Sequence, residues 1–492
     1  MRTLIDLQLK LFSGSISGIQ FDINSRDEIP QLLIGLQQIY NNKELRNKVL
    51  FILNEAIPEN INKNTGRPGM SMWQILVLGT LRLNCNWDYD KVVEISNEHR
   101  KVRQMLGHEE GDFQKRYPLQ TIKDNVSLLT PEVLDKINEC VVKHGHSLTG
   151  KKADELNGSC DSFVVETNVH YPTDINLLFD AVRKIITLIA AICEIFGITE
   201  WRQHKFNLKT TKKLFNKARS LKRSNSKNKI KRAERDEVIK NAYQTYIEVV
   251  ESFLQKAEIT IGLLRENVFL SSSISARLMS VEHYICHARR QIDQIRRRII
   301  EGETIPHSEK VFSIFEEHTE WICKGKAGVN QELGLSVCIL KDQFGFILHH
   351  QVMEKVTDDK VAIPMIEETK KKFESLKSCS FDRGFYTPEN KKLLKGMLEF
   401  VFLPKKGKLS EKDKIEEYSE EFIQARHKHS AVESSINALE NHALDRCFDH
   451  GIGGFKRYVS LAVLARNIQI IGRIIQKKEL KKQKLIKKRL AA

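Results

Sequence analysis

Three acidic residues, Asp161, Asp382 and Glu433, stand in segments whose local pattern suits an active-site carboxylate. Asp161 opens the strand-like run Asp161-Ser162-Phe163-Val164-Val165-Glu166. Asp382 follows a short apolar run and precedes Arg383-Gly384-Phe385-Tyr386, and Glu433 lies in the helix-like Ser430-Ala431-Val432-Glu433-Ser434-Ser435-Ile436. Two aspartates at strand positions and a helical glutamate, distant in sequence, can gather around two divalent metal ions roughly 3.5 to 4 Å apart, an arrangement that stabilises both the attacking and the leaving oxygen of an in-line phosphodiester displacement. Strand alternation sends Asp161, Phe163 and Val165 to one face and Ser162, Val164 and Glu166 to the other, so only one of the two acids can enter a shared site. Periodicity alone does not choose between them. Asp382 stands where a strand must end and the backbone must turn, ahead of Gly384. On its helix, Glu433 lies roughly 100° round from Val432, at the edge of an apolar stripe of Val432, Ile436, Leu439 and Ala443.

The elements that must position these acids can be read in order. A polar linker at Lys151 to Gly158 leads into the strand of Asp161. From about Asp180 to Ile300 the chain reads as long basic helices, with Val249, Val250, Phe253, Leu254 and Ile259 to Leu264 supplying apolar faces that suit an antiparallel hairpin. Strand character returns at Leu335 to Leu340, turns at Asp342-Gln343-Phe344-Gly345 and resumes at Phe346-Ile347-Leu348. Pro364 suits the first turn of a helix ending near Leu376. Ser378 to Phe381 leads to Asp382, and then come a helix from Pro388, a strand over Phe400 to Leu403, a charged loop from Lys405 to Glu421 and the helix of Glu433. That order predicts an α/β fold, a ribonuclease H-like mixed sheet interrupted by a helical insertion and preceded by an all-helical N-terminal domain. The expected divisions are 1–150 for the helical DNA-binding domain, 155–475 for the catalytic domain, 180–305 for the basic insertion within it and 476–492 for a basic tail.

Within the first 150 residues, Leu32, Leu33, Leu36 and Ile39 after Pro30 have helix spacing. Ser71 is a good N-cap for a helix through Trp73, Leu76, Leu78 and Leu81, and Asn86-Trp87-Asp88 turns into a second helix bearing Val92, Val93 and Ile95. The pair fits either a helix-turn-helix or a plain helical bundle. Thr130-Pro131 marks a further helix start.

The chain of 492 residues carries 79 basic against 63 acidic residues, a formal net charge of +16, which biases its partners toward polyanions. Distribution says more than the total. Trp201 to Ala233 contains no Asp or Glu but includes Lys212, Lys213, Arg219, Lys222 and Arg223, and a second basic run closes the chain. Runs of one sign repel themselves, so they serve either as phosphate-contacting surfaces or as solvated faces. Nine cysteines without a Cys-x-x-Cys pair indicate neither a disulfide framework nor a four-cysteine zinc site, and predict a reducing compartment. The apolar stretch Ile185 to Ile198 is interrupted by Glu194 and is too short for a bilayer span of about 20 residues, so no membrane partner is expected. His283-Tyr284-Ile285-Cys286-His287 has ligand-like spacing, but with no second ligand pair nearby in sequence it reads as an ordinary helix face. No Gly-x-x-x-x-Gly-Lys-Ser/Thr loop supports ATP-driven work.

Three blocks, Asp161 to Asp174, Phe381 to Tyr386 and His429 to Asn437, resemble the signature blocks of insertion-sequence DDE transposases, those of the ISNCY type most, and Gln74 to Leu106 is similar to the helical amino-terminal region of the same enzymes. The resemblance spans most of the chain. It implies that Asp161, Asp382 and Glu433 are the metal-binding triad, that Mg²⁺ or Mn²⁺ is the cofactor, and that the enzyme cuts double-stranded DNA at the terminal inverted repeats of its own element and joins them to target DNA. Pairing two ends predicts a homodimer on DNA, in a prokaryotic cytoplasm and associated with the nucleoid. Many relatives carry Tyr, Arg and Lys around the glutamate, where this chain has Arg426, His429 and Glu440. Arg426, His429 and Arg383 are therefore expected to contact phosphates near the acids, and Lys212, Lys213, Arg219, Lys222 and Arg223 to contact them from the insertion, while the lysine's role is unfilled. The alternative is a transposase-derived DNA-binding protein without catalysis. A coiled-coil nucleic-acid binder built on the 180–300 helices is a third, opposed by the flanking strands.

Overall fold

The computed structural model describes residues 3–5, 16–57, 69–108, 115–150, 154–267, 269–323 and 331–491. Among them, side-chain caps set most helix starts. Asp27 caps α1 (Glu28–Asn41), Asn42 caps α2 (Lys43–Glu55), and Ser71 caps α3 (Met72–Asn84) in a reciprocal capping box with Gln74. Asp88 caps α4 (Tyr89–Glu98) and His99 caps α5 (Arg100–Met105). After α6 (Leu119–Val126), Thr130 caps α7 (Pro131–Leu148), whose proline occupies the first turn, where its missing N–H is not needed. The chain continues through β1 (Leu156–Thr167), α8 (Asp174–Ile195), α9 (His204–Ser220), α10 (Lys229–Asn267) and α11 (Ser272–Ile295). Then follow β2 (Glu320–Cys323), β3 (Gln331–Lys341), β4 (Ile347–Met353), α12 (Asp358–Lys372), β5 (Leu376–Phe381), α13 (Pro388–Met397), β6 (Phe400–Phe402), α14 (Glu411–Glu417), α15 (Glu420–His429), α16 (Ala431–Leu439), β7 (Arg446–Cys447) and α17 (Gly451–Ala491).

The chain divides into two units, one of residues 1–168 with 320–492 and one of residues 169–319. The first is mixed α/β, around a seven-stranded sheet. β3 runs antiparallel to β1, and at its other edge pairs antiparallel with β2 along one half and β4 along the other. On the far side of β1 the pairing becomes parallel, to β5 and through it to β6, while β7 joins the end of β1. One hydrophobic core holds the sheet and the helices before it together: Trp73, Leu81, Leu134, Val141, Val165, Phe346 and Ile468 all belong to it. Two glycines let α1 and α17 cross at backbone contact. A Cβ on Gly35 would lie 2.1 Å from the Ile468 carbonyl oxygen, and one on Gly472 would lie 1.8 Å from that of Gln31. The apolar stretch of α17 is long enough to cross a bilayer, but 72% of that window is buried inside the structure, so it serves as a core helix.

The second unit is helical, with its own core around Ile185, Trp201, Phe215, Tyr246 and Leu278. The indole N–H of Trp201 donates to Thr260 Oγ1 at 3.0 Å. α10 and α11 run antiparallel, as their apolar spacing predicts, and a ladder of ion pairs records the register: Arg265 with Glu282 at 2.8 Å, Glu258 with Arg289 at 2.5 Å, and Glu251 with Arg296 at 2.8 Å. On each helix the partners are seven residues apart, the repeat that keeps one seam facing its neighbour.

Several expectations are corrected. Asp161 does not open its strand, because β1 begins five residues earlier at Leu156. Pro364 lies inside α12, whose start is set by Asp358 and Asp359 favouring the positive helix end, and Leu376 already belongs to β5. The charged segment 405–421 is not a plain loop, since it folds as α14 and the first turn of α15 under Ser410 and Ser419 caps. The stripe of the Glu433 helix stops short of Ala443, which has φ +77° beyond the helix end. The basic tail from 476 is the continuation of α17. Of the two readings of α3 and α4, the geometry favours the bundle. All thirteen residues of α3 are buried, and the exposed residues of α4 are Asp90, Lys91, Glu94 and Glu98, with Lys91 paired to Glu94, a surface that repels phosphate. The start of the 151–158 linker, residues 151–153, lies outside the described residues.

Candidate active site

The register of β1 brings two acids together. β1 and β5 are parallel with Cys160 opposite Phe381, so Asp161 and Asp382, each the next residue, lie side by side, Asp161 within its strand and Asp382 just past the end of β5. Asp382 has extended backbone, φ −75° and ψ 163°, and leads into a short 3₁₀ turn over Arg383–Phe385. In that turn Gly384 packs against Asp358, whose Oδ2 would stand 2.7 Å from any added Cβ. Asp358, the first residue of α12, also accepts a hydrogen bond from Ser162 Oγ at 2.7 Å. A fourth carboxylate thus joins the neighbourhood from the strand face opposite Asp161's own.

Glu433 arrives from α16, and two anchors set that helix on the sheet. Lys341, at the end of β3, donates from Nζ to the Ala431 carbonyl at 2.6 Å and lies 3.4 Å from Ser435 Oγ. Burial lowers the pKa of this lysine, as expected of an ammonium drawn under a helix end. Ser380 of β5 hydrogen-bonds His429 Nδ1 at 2.9 Å, fixing the end of α15 just before the chain turns at Ser430 into α16. Glu433 therefore lies in the first turn after both anchors.

Electrostatics tie the acids to one another. The Asp161 carboxyl is pushed up to about 6, first by burial, then by the charges of Asp382, Asp358 and Glu433, against the opposing hydrogen bond from the Ser162 N–H at 2.8 Å. Among the described residues, none of the four carboxylates forms an ion pair with Lys, Arg or His. Asp382 and Glu433 are exposed and Asp161 and Asp358 half-buried, so the cluster opens to solvent. Oxygen donors gathered without a counter-charge suit hard divalent cations such as Mg²⁺ or Mn²⁺, whose charge would offset the repulsion that raises Asp161. The residues fit that group.

The expected basic contacts divide into three. Arg383 and Arg426 are exposed, make no ion pair among the described residues, and line a cavity of about 520 Å³ with Tyr418, Ile423 and His427. His429 is engaged on one side: its Nδ1 is committed to Ser380 while its Nε2 has no partner among the described residues, and burial lowers its pKa against the pull of Asp382 and Glu433. It acts as an anchor because the turn at Ser430 points its ring at β5. Lys212, Lys213 and Arg219 lie on the exposed side of α9, whose Thr211, Phe215 and Ala218 face the core of the helical unit. Lys222 and Arg223 follow in an exposed segment held by Arg235, which donates to the Lys222 carbonyl at 2.9 Å. These five belong to residues 169–319, and the acids to the other unit.

Sequence reasoning missed Asp358, Lys341 and Ser380. The run Thr357-Asp358-Asp359 is legible as a helix start, yet that reading assigns the aspartates to the helix dipole alone. Lys341, at the end of an apolar strand, carries no local signal of what it tethers. Compared with protein-family models, curated proteins and solved structures, the chain finds no match.

Proposed function

We propose that the protein is a metal-dependent DDE transposase with a ribonuclease H-like catalytic unit, cutting the ends of its own insertion sequence and joining them to target DNA. The observation that carries this reading is the side-by-side register of Asp161 and Asp382, with Glu433 on a helix anchored to the same sheet by Lys341 and Ser380. The sheet order, with β3 antiparallel between β4 and β1 and with β5 and β6 parallel beyond, supports the fold assignment. The signature blocks resembling those of the family supply the substrate class.

In this reading Asp161, Asp382 and Glu433 hold the cations, and Asp358 adds a fourth carboxylate beside them. The bound cations would supply activation of the attacking oxygen and neutralisation of the leaving one. Arg383 and Arg426, exposed and without an ion pair among the described residues, hold phosphates beside the acids, a positioning role that reads no sequence. Lys341 and His429 keep Glu433 in register, so the third ligand does not depend on a flexible loop. Lys212, Lys213, Arg219, Lys222 and Arg223 supply further backbone contacts. Double-stranded DNA is the partner, a homodimer pairs the two ends, and the nucleoid of a prokaryotic cytoplasm is the setting.

The test is Mg²⁺-dependent cleavage of a DNA fragment carrying the flanks of this reading frame, with wild type set against Asp382→Ala. Specific cutting by wild type alone, with DNA affinity retained in the variant, supports the reading. Binding by both proteins without cutting in Mg²⁺ or Mn²⁺ overturns it in favour of a DNA-binding protein without catalysis.

A further inference from the structure

In the helical unit, His283 and His287 lie one turn apart on α11, and Glu317 comes to them from a turn thirty residues further along the chain. The spacing alone reads as an ordinary helix face, because the third group is remote in sequence. The fold brings it in. Glu317 Oε1 lies 2.5 Å from His283 Nε2 and 2.8 Å from His287 Nε2, and the two nitrogens are 3.2 Å apart.

We infer that His283, His287 and Glu317 form a binding site for a divalent transition metal, zinc first, that clasps the segment 313–319 to α11. Three donor atoms form a triangle with edges of 2.5 to 3.2 Å. A tetrahedral zinc ion with bonds near 2.0 to 2.1 Å spaces its ligands about 3.3 Å apart, so the edge between the two histidines already fits and the edges to Glu317 need to open by about 0.5 and 0.8 Å, a shift within reach of the half-exposed Glu317 side chain. Histidines at i and i+4 present two imidazoles to one point, the spacing that helical zinc sites use. Two imidazole nitrogens and one carboxylate oxygen select zinc, cobalt, nickel or copper over Mg²⁺, which prefers oxygen ligands throughout. Without a cation both rings crowd one carboxylate oxygen, and a shared metal ion removes that competition.

The surroundings are built to hold the donors. Glu317 sits in a turn stiffened by Ser313 Oγ, which accepts from the N–H groups of Phe315 and Glu316, and by Thr319, whose hydroxyl donates to the Glu316 carbonyl. Phe315 packs edge-on against Tyr284, between the two histidines in sequence. The His287 side chain is only 6% exposed, while His283 and Glu317 are about half exposed at 53% and 50%, which leaves one open side for entry and for a water as fourth ligand. No fourth His, Cys, Asp or Glu joins the cluster among the described residues. This site is independent of the acid cluster on the sheet and of the function proposed for it.

The experiment uses the full chain, stripped with a chelator and dialysed into excess Mg²⁺ so that the carboxylate cluster is occupied. Zn²⁺ is then titrated in competition with a chromophoric chelator, and Co²⁺ is added separately to read its visible absorption. The expected result is one tight Zn²⁺ site per chain, a tetrahedral Co²⁺ spectrum and a Zn²⁺-dependent rise in melting temperature. His283→Ala and Glu317→Gln, both at exposed positions where loss of fold is not anticipated, weaken Zn²⁺ at least tenfold and abolish the rise, while Asp382→Ala leaves both intact. Equal affinity in wild type and in those two variants overturns the proposal, as does Zn²⁺ binding that Asp382→Ala alone removes.

Discussion

The two units handle charge in opposite ways. On the α10–α11 seam three glutamates each meet an arginine at seven-residue intervals, so the charges are neutralised in pairs along the surface. At the sheet four carboxylates gather with no basic partner among the described residues, and Asp161 is displaced to about 6, first by burial and then by the charges of its neighbours. Paired surface charges add little to stability and can be lost with small consequence. Like charges held together are costly in themselves and persist where a ligand offsets them, which is why the sheet cluster, rather than the more heavily charged helical unit, is the candidate for chemistry.

The comparison can be broken first at the basic surface of α9. Replacing Lys212, Lys213, Arg219 and Lys222 with alanine removes four charges that no ladder pairs. If they contact phosphates, DNA affinity at low salt drops about 10² to 10³-fold and the slope of log K against log salt falls by about 3.6, at 0.9 per contact. An unchanged slope in a fluorescence-anisotropy titration would make α9 a solvated face like the seam.

Next in size is Lys341→Met, which removes the ammonium holding the start of α16. Cleavage is expected to fall about 100-fold while DNA binding stays constant, because only the placement of Glu433 changes. Gel assays of both quantities on the same DNA fragment separate the two.

Asp161→Asn probes the cost of holding this carboxylate charged, which burial sets first and the neighbouring acids add to. The folded pKa of about 6 lies above the ordinary 3.8, so the fold favours the protonated carboxyl. That stabilisation is complete below the unfolded value and is lost as pH rises through 6. In chelator at pH 7.5 the asparagine variant should therefore be more stable than wild type by about 3 kcal/mol, given 1.36 kcal/mol per pKa unit, with the gap closing toward pH 4. Added Mg²⁺ should stabilise wild type alone and narrow or reverse the difference. Urea titrations at the two pH values, with and without Mg²⁺, read all of this.

The smallest effect belongs to the ladder. Arg289→Ala breaks the pair with Glu258, in which both side chains are well exposed, and should cost under about 1 kcal/mol in thermal denaturation, less in high salt. A larger loss would mean that the seam is more than a solvated surface.

Much of this was legible in the chain itself, since caps and turns are local chemistry. The Ser71 cap, Thr130 with Pro131, and the Asp342 to Gly345 turn between β3 and β4 all formed where the sequence predicts them. The spacing of apolar residues on α10 was enough to anticipate an antiparallel partner. Pro364 misled because a first-turn proline and an interior one look alike in sequence, and the acidic pair six residues earlier decided the helix start. The charged stretch 405–421 misled because polarity reads as loop, although Ser410 and Ser419 were each a capping signal.

What the sequence determined alone is therefore most of the elements and the three acids Asp161, Asp382 and Glu433 with the segments that carry them, because capping, periodicity and turn preference act over a few residues. What only the tertiary structure decided is who meets whom. The parallel register of β1 with β5 set Asp161 beside Asp382, the reach of Lys341 set α16 on the sheet, and the return of the chain brought Glu317 to a histidine pair that looked like an ordinary helix face. Those meetings depend on strand pairing and packing between residues tens to hundreds of positions apart, where no local pattern carries the information.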